Sequence, residues 1–538
     1  MLKEKIMKGI GQARIEPDKP VVAGSRQTWI LKYYVGKKGM KKGGSLRVTI
    51  PHGFTSPQID EFYKDGFVTV ECPGKQVSLS LNLVSRIFCA YSPELGHSGA
   101  FGKSIFVILE DGQLAGGDCI ELAYGNVAYY GDEPWGPSPP EAPILSGAHQ
   151  FTVAVDYDGT RTAPLTGYFL LPEQPVVKVL PEKAERLITV APSNVEPGKS
   201  VSLRIITVDK YLNPVKEQDT EYAVRAGGGE KIYTSRNGVI ELPPLPDPGK
   251  KCEAYAVNLL HKKGISGLSN PVRSGKYMGS ENLYWGDIHA HTACSDGLGT
   301  PVELLAFARD VAGLDFAAMT DHDDIGPFLS REQWEDIQQA TASVNRPGEF
   351  VTFLGYEYRS GLADMNVYYP GDKGPMMCGK DEKWDNPLKL LPALKQHEAM
   401  IIPHQHFGAD WRGVDPAVYR VMEVYSQHGS SEYLGCPRQI PYLNKQLQKS
   451  SSGNLNTTFQ EILALGVKLG VTAGSDSHSG RPGLSNWTRV TRTYNGGLTA
   501  VFAGNKTRED IWKALYERHC YGTTGPRIYL DFSINGHP

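Results

Sequence analysis

The sequence predicts a multidomain protein in which an all-β first half gives way to a C-terminal α/β domain, its parallel strands closed into a barrel. Three observations lead there. The chain has 538 residues, and one hydrophobic core rarely serves more than about 250–300. Its 59 Gly and 37 Pro imply many turns, in a composition of 40% hydrophobic and 21% charged residues that suits folded protein. Near Asn270 the hydrophobic pattern changes from short alternating runs to strands that alternate with capped helices.

Residues 1–180 read as an N-terminal β-rich domain. Ser45–Ile50, Phe67–Glu71 and Phe151–Val155 each alternate polar and apolar residues, the mark of half-buried antiparallel strands. A charged, Pro-containing joint at Lys178–Glu185 leads into a second β unit, 181–275. Leu187–Val190, the turn Glu196-Pro-Gly198 and Val201–Ile206 fit about seven short strands of a small sandwich. Its phrase Val208-Asp-Lys-Tyr-Leu-Asn-Pro-Val215 resembles a corner of bacterial immunoglobulin-like modules, which implies an immunoglobulin-like β-sandwich. The third domain is 281–538. Thr300-Pro-Val-Glu303 is a capping box with Pro at the first helical position, opening a helix to about Ala312. Ser330-Arg-Glu-Gln333 and Thr507-Arg-Glu-Asp510 open two more. Between the helices lie apolar strands at Phe316–Met319, Phe350–Leu354, Met400–Ile402, Val421–Val424 and Leu469–Thr472.

Charge and composition exclude several classes. A net charge of −3 gives no general electrostatic grip on nucleic acid. No segment reaches the ~18 uncharged apolar residues of a membrane span. Met1–Pro17 has lysines but no apolar signal core, so a cytoplasmic location is expected, with a processed extracytoplasmic form as the alternative. The 8 Cys are scattered without a C-x-x-C pair, so reduced thiols are expected. Lys37, Lys38, Lys41 and Lys42 read as a solvated loop.

Of the 14 His, ten follow residue 281, and their positions matter more than their number. His289 and His291 end the strand-like run Leu283–Ile288, and residues two apart on a strand face one side. Asp296 follows them in Ser295-Asp-Gly297; His322, Glu357, His404 and His428 each come at the end of another predicted strand, and Asp476 and His478 follow the last. In a β/α barrel the C-terminal strand ends form the catalytic face. Imidazole and carboxylate donors without thiolate suit divalent Zn, Mn, Fe or Ni. Nine such donors exceed one ion's needs and fit two or three ions bridged by a carboxylate.

The motifs His289-Ala-His291-Thr-Ala-Cys-Ser-Asp-Gly297, Thr320-Asp-His322, Gly355-Tyr-Glu357, Pro403-His404 and Ser475-Asp-Ser-His478 resemble the PHP (polymerase and histidinol phosphatase) superfamily. The longer Tyr284-Trp-Gly-Asp-Ile-His-Ala-His291, behind a large β region, is similar to the branch called domain-of-unknown-function family 3604. The resemblance implies a distorted (β/α)7 barrel with a bi- or trinuclear site of Mn, Zn or Fe. It implies that His289, His291, Glu357 and Asp476 hold a first ion. Glu357 would bridge to a second with His404 and His428, and Asp296, His322 and His478 would hold a third. Asp296 stands where some relatives have His, which puts the third ion's occupancy in question.

Other residues receive smaller roles. His406 could replace His404 as ligand, although Pro403-His404 matches the motif; otherwise it supports the ligands from behind. His397 fits a helix surface or core, and His519 a helix C-terminus. Cys294 is a poor ligand for a site that prefers N and O. For a phosphorylated substrate, Arg481 is the best-placed cation, then Arg438 and Arg359; Arg412 sits in a loop that could act as a lid, and a surface ion pair is the default for each. The expected activity is a metal-dependent hydrolase, foremost a phosphoesterase, in which a metal-bridging hydroxide attacks a small-molecule ester. Asp476, Glu357 and His322 are the expected catalytic residues. A carboxylester or carbamate hydrolase on the same metals is the alternative, and a non-catalytic binding module is the reading of another class.

Overall fold

The protein is described from a computed structural model, which covers residues 9–85, 103–126, 139–160, 168–216, 220–226, 229–245, 252–277, 280–323, 329–360, 363–406, 411–440, 458–484, 494–532 and 534–535. The chain divides into two compact units, Met1–Glu182 and Lys183–Pro538. Both are rich in β-structure and helices are few.

In the first unit a four-stranded sheet runs Gly11–Glu16, Trp29–Val35, Cys119–Tyr124, Val68–Glu71, and a five-stranded sheet runs Phe169–Leu170, Thr152–Asp156, Ser45–Ile50, Lys103–Asp111, Ser78–Ser85. All neighbours in both are antiparallel. The alternating pattern is explained by Trp29–Val35, whose odd residues are buried and whose even residues are half-exposed. Phe54 joins the layers, with its ring 5.1 Å from Trp29 and 5.2 Å from Phe151. The Lys37–Lys42 loop is exposed at all four lysines, as expected.

The second unit opens with a small sandwich. Arg186–Val190, Val201–Val208 and Val239–Leu242 form one antiparallel sheet. Gly229–Thr234, Glu221–Ala226, Ala256–Leu259 and Ser266–Leu268 form the other. Leu187, Val201, Leu203 and Ile205 meet Tyr222, Val224, Val257 and Leu259 in its core.

The remainder of the second unit supplies the candidate site. In chain order the elements are β1 (Asn282–Asp287), α1 (Pro301–Asp310), β2 (Phe316–Met319), α2 (Arg331–Val344), β3 (Val351–Arg359), β4 (Ala363–Tyr369), α3 (Pro387–Gln396), β5 (Met400–His406), β6 (Val421–Ser426), β7 (Gly429–Ser430), α4 (Phe459–Ala464), β8 (Gly470–Ala473), β9 (Leu498–Ala503), α5 (Arg508–Glu517) and β10 (Cys520–Thr523). Thr300 and Ser330 cap α1 and α2 through full capping boxes, and Thr507 caps α5.

The strands do not form seven parallel β/α units. Seven of them make one curled sheet in the order β5-β4-β3-β2-β1-β9-β10, and three make another, β7-β6-β8. Only β1–β2 and β2–β3 pair in parallel within the seven. The other four pairings are antiparallel. The reason lies in the connections. Crossover helices α1 and α2 lead to β2 and β3, but β4 follows β3 almost at once, and so short a connection can only return antiparallel. The Ala363–Tyr369 strand, buried along its whole length, is the element the sequence pattern did not announce. The small sheet lies against both ends of the large one. Ile401 of β5 bridges to Tyr419 beside β6. At the other end Thr499 Oγ1 of β9 accepts from Ala473 N of β8 (3.1 Å) and donates to Ala473 O (2.8 Å).

Phe316, Ala318, Val351, Phe353, Ile402, Val421 and Val501 fill the interior below the site. Gly286 makes room there: a Cβ at that position would lie 2.2 Å from the Phe316 ring. No helix among the described residues is long and apolar enough to cross a membrane. The described cysteines are free thiols, and Cys89 lies outside the described residues.

Gly286→Ala should therefore destabilise the second unit by about 1–3 kcal/mol, the usual cost of forcing extra volume into a packed core. A lowered midpoint in denaturant unfolding checks this. An unchanged midpoint would mean that the Phe316 ring has another place to go.

Candidate metal centre

The loops after the strands bring a dense set of imidazoles and carboxylates into the interior. Three overlapping groups have ligand atoms close enough to share an ion: His289, His291 and Glu357; His289, His404 and Asp476; and His291, Asp296, His322 and His478. His289, His291, His404, Glu357 and Asp476 are each at most 2% exposed. All nine donors expected as ligands fall in one place, because His428 Nε2 also lies 2.7 Å from Asp476 Oδ2.

The two central carboxylates divide the imidazoles between them. Glu357 Oε2 stands 3.3 Å from His289 Nε2, His291 Nε2 and His322 Nδ1. The carboxylate that reaches His404 (3.3 Å) and His428 is Asp476, and its other oxygen is 3.1 Å from His291 Nε2. Asp476 thus lies against more imidazoles than Glu357 does. It sits in a left-handed turn, φ 54°, a conformation that Asp tolerates better than most side chains. Its main-chain N–H donates to His289 O at 2.7 Å, which ties this loop to the end of β1.

Ring orientation is fixed by groups behind the imidazoles. His289 Nδ1 lies 2.9 Å from one Glu423 oxygen and His404 Nδ1 lies 2.8 Å from the same atom. A carboxylate accepts, so both rings carry their proton on Nδ1 and turn Nε2 inward. His478 does the same through the Asp476 carbonyl, 2.8 Å away, and its Nε2 faces Asp296 Oδ2 at 3.2 Å. Carboxylate–imidazole pairs of this kind set the tautomer and raise the basicity of a metal-binding nitrogen.

The donor set fits divalent ions on further counts. His291 Nδ1 and His322 Nδ1 are buried and make no hydrogen bond among the described residues. Asn366 is fully buried, neither end of its carboxamide has a hydrogen-bond partner among the described residues, and it stands directly across the β3–β4 ladder from Glu357. Opposed residues on antiparallel strands share a face, so this polar group points into the same interior. Leaving such groups without partners costs free energy that an ion and its oxygen ligands would recover.

Charge is balanced within the cluster. Burial opposes ionisation of Asp476, but His428 and His289 hold its carboxyl well below the usual range. Glu357, beside His322 and His289, and Asp296, beside His478, are lowered in the same way against burial. Burial also works against charged imidazoles, yet Glu423 lifts His404 to about 10 and Asp296 lifts His478 to about 9. For His322 burial wins, and its pKa falls to about 4.

Several supports were missed from sequence. Glu423 sits inside the apolar run Val421-Met-Glu-Val424, and an acid there was itself the signal. Asp287 accepts from Ser475 N (2.9 Å) and Gly483 N (2.6 Å), binding β1 to the last ligand loop, and burial pushes it up to about 6. Asp321 accepts from Thr292 N (2.8 Å) and Ser295 Oγ (2.7 Å), and so holds the loop that bears Asp296.

The expected substrate cations fare differently. Arg481 is buried, and its guanidinium donates to Tyr211 O, Asn213 Oδ1 and Gly480 O, so protein acceptors hold its cationic head. Arg359 Nε lies 3.6 Å from Asp364 Oδ1. Arg438 is exposed, with its guanidinium 6.0 Å from the Tyr494 ring centre. His397 is exposed at the end of α3 and His519 lies 3.6 Å from Glu281; neither is among the clustered donors. Cys294 is buried, and burial raises its thiol well above its ordinary value. The side chains of His406 and Arg412 lie outside the described residues.

Two outcomes are expected. Because His404 and His478 titrate near 10 and 9, they are charged at pH 7 and an ion must displace their protons. Calorimetry of Zn²⁺ or Mn²⁺ uptake in buffers of different ionisation enthalpy should show proton release, with affinity falling from pH 8 to pH 5. Uptake without proton release would contradict this. Glu423→Gln should weaken metal binding about 10–100-fold while the fold is retained. Unchanged affinity in the folded variant would show that Glu423 does not orient the ligands.

Comparison with known proteins shows the following likenesses. A family model described as a protein of unknown function (DUF3604) matches residues 472–534, the segment that carries Asp476 and His478. An uncharacterised protein of Chlamydia pneumoniae is 29% identical over 266 residues, covering 48% of this chain and 42% of its own length. One from Chlamydia muridarum is 29% identical over 376 residues, covering 65% of this chain and 57% of its own length. The chain thus spans about half the length of these relatives. Among solved structures, a two-domain protein from Bacteroides vulgatus containing a predicted PHP-like metal-dependent phosphoesterase is 17% identical, with a TM-score of 0.30, over 45% of this chain and 65% of that one. The Yersinia pseudotuberculosis adhesin InvE aligns at 10% identity with a TM-score of 0.16, over 49% of this chain and 58% of its own.

Proposed function

We propose that the second unit is a metal-dependent hydrolase acting on a small ester, foremost a phosphate ester. The observation that carries this is the convergence of the three donor groups in one buried place, with imidazole nitrogens turned inward by Glu423 and by the Asp476 carbonyl. His289, His291, His404, His428, Glu357 and Asp476 would hold two ions, and His291, Asp296, His322 and His478 offer a place for a third. Ions there would supply an activated water and neutralise charge that builds up on the substrate. The chain's own groups would orient the donors, exclude bulk water and move protons. Neutral His322, beside Glu357, has a free lone pair for an ion or a proton. Asn366 is placed to hydrogen-bond an oxygen of water or substrate beside Glu357.

The carbonyl alternative, ester or carbamate hydrolysis, is favoured by a specific finding. Arg481 is spent on protein partners and Arg359 on Asp364, so of the three expected cations Arg438 is the most available for a phosphate. On the phosphoester reading the ions themselves supply most of the charge for the phosphoryl oxygens.

A panel of p-nitrophenyl phosphate, a bis-p-nitrophenyl phosphodiester, the acetate and a carbamate separates the two readings. Chelator-sensitive release from a phosphate ester, reduced at least ~100-fold by Asp476→Ala, is the expected result. Release confined to the acetate or carbamate would transfer the assignment to carbonyl chemistry. Activity unchanged in both Asp476→Ala and Glu357→Ala would remove the catalytic reading.

A further inference from the structure

We propose that the small sandwich belongs to the framework of the metal centre: its Asp209–Asn213 corner, acting through Arg481, positions the loop that carries Asp476 and His478. The proposal rests on the metal reading above and names the element that regulates the geometry of that site.

The corner is built before it meets the loop. Asp209 is fully buried; its Oδ1 accepts from Tyr211 N (2.8 Å) and Asn213 N (2.9 Å), and its Oδ2 accepts from Asn213 Nδ2 (2.9 Å). Leu212 takes the left-handed turn, φ 64°. This fixes two acceptors, Tyr211 O and Asn213 Oδ1, in one direction. Arg481, three residues past His478, reaches both: Nε donates to Tyr211 O at 3.1 Å and Nη2 to Asn213 Oδ1 at 2.5 Å. Its guanidinium lies 4.6 Å from the ring centre of Phe307 on α1, and Asp209 and Glu303 supply opposite charge nearby. A buried guanidinium needs such a prepared set of acceptors, and its planar fork makes the direction specific.

The other side of the loop is held by the strands that carry the site. Gly483 N donates to Asp287, Asp476 N donates to His289 O, and His291 N donates to Ser477 O at 2.8 Å. Ser477 Oγ accepts from Arg481 N at 3.3 Å, which joins the two anchorages. The sandwich also touches the C-terminal end of α1, where Arg204 Nη1 donates to Arg309 O (2.9 Å). Asp296 and His478 face each other at 3.2 Å, and His478 sits on the segment that Arg481 ties to the sandwich. The group of His291, Asp296, His322 and His478 is therefore the one whose geometry depends most on it.

The test uses the full chain, titrated with Zn²⁺ and with Mn²⁺ by calorimetry, with elemental analysis after dialysis. The variants are Asn213→Ala, Arg481→Lys, their double variant, and Ile232→Ser as a control on the exposed sandwich edge, where Ile232 is 64% exposed. Asn213→Ala and Arg481→Lys should each weaken one class of ion about tenfold or more, the range seen when supports of metal ligands are removed. The double variant should lose less than the sum of the two singles, since both break the Arg481–Asn213 contact. The control should match wild type. Folded variants with wild-type affinity and stoichiometry would overturn the proposal and leave a docking contact only. If Arg481→Lys does not fold, Asn213→Ala still decides, because it leaves the guanidinium its two carbonyl partners. Wild-type protein that takes up no ion would remove the metal reading itself, and this proposal with it.

Discussion

Buried charge is the constraint on which the rest of the second unit depends. Glu357, Asp476 and Asp296 face six imidazoles where water is largely excluded, and Glu423 adds a fourth carboxylate behind two of them. Isolated charges in such a place would be prohibitive. They persist because each carboxylate lies against several imidazole nitrogens and each imidazole against an acid. An arrangement that costs so much to bury and serves no packing purpose is the kind that function retains. Divalent ions answer it directly, since they supply positive charge that the imidazoles otherwise carry only as protons.

The fold serves that cluster by placing a fixed buried acid near each ligand loop. Asp287 stands two residues before His289 and Asp321 one before His322, and each is occupied by main-chain and hydroxyl donors from a different ligand loop. The strands hold these acids, and the acids hold the loops. The mixed sheet follows from the same demand. Because β4 returns against β3, Asn366 is set beside Glu357, a neighbour that a helical crossover would not have placed there.

Much of the site was legible because strand ends are legible. Apolar runs such as Phe316–Met319 stop at a polar residue, and the donors at those stops converge once the strands share a sheet. The capping boxes at Thr300 and Ser330 were equally local, and both helices start where those residues place them. What escaped depends on pairing between distant segments. Periodicity does not say whether a buried strand lies parallel or antiparallel to its neighbour, so the alternation of β1, α1, β2, α2 and β3 was extended too far. Asn366 and Glu423 are polar residues within buried strands, and the groups they face, Glu357 for the one and His289 and His404 for the other, come from distant segments. Arg481 was close to the ligands in sequence, but the turn through Gly480, φ 66°, sends its side chain toward the sandwich.

Anomalous diffraction from crystals grown with Mn²⁺ or Zn²⁺ tests the central claim most directly. Ion peaks are expected between Glu357, His289 and Asp476 and between Asp476, His404 and His428, with any further peak among His291, Asp296, His322 and His478. Ions found only at surface carboxylates, or none in the interior at saturating metal, would contradict a buried metal centre.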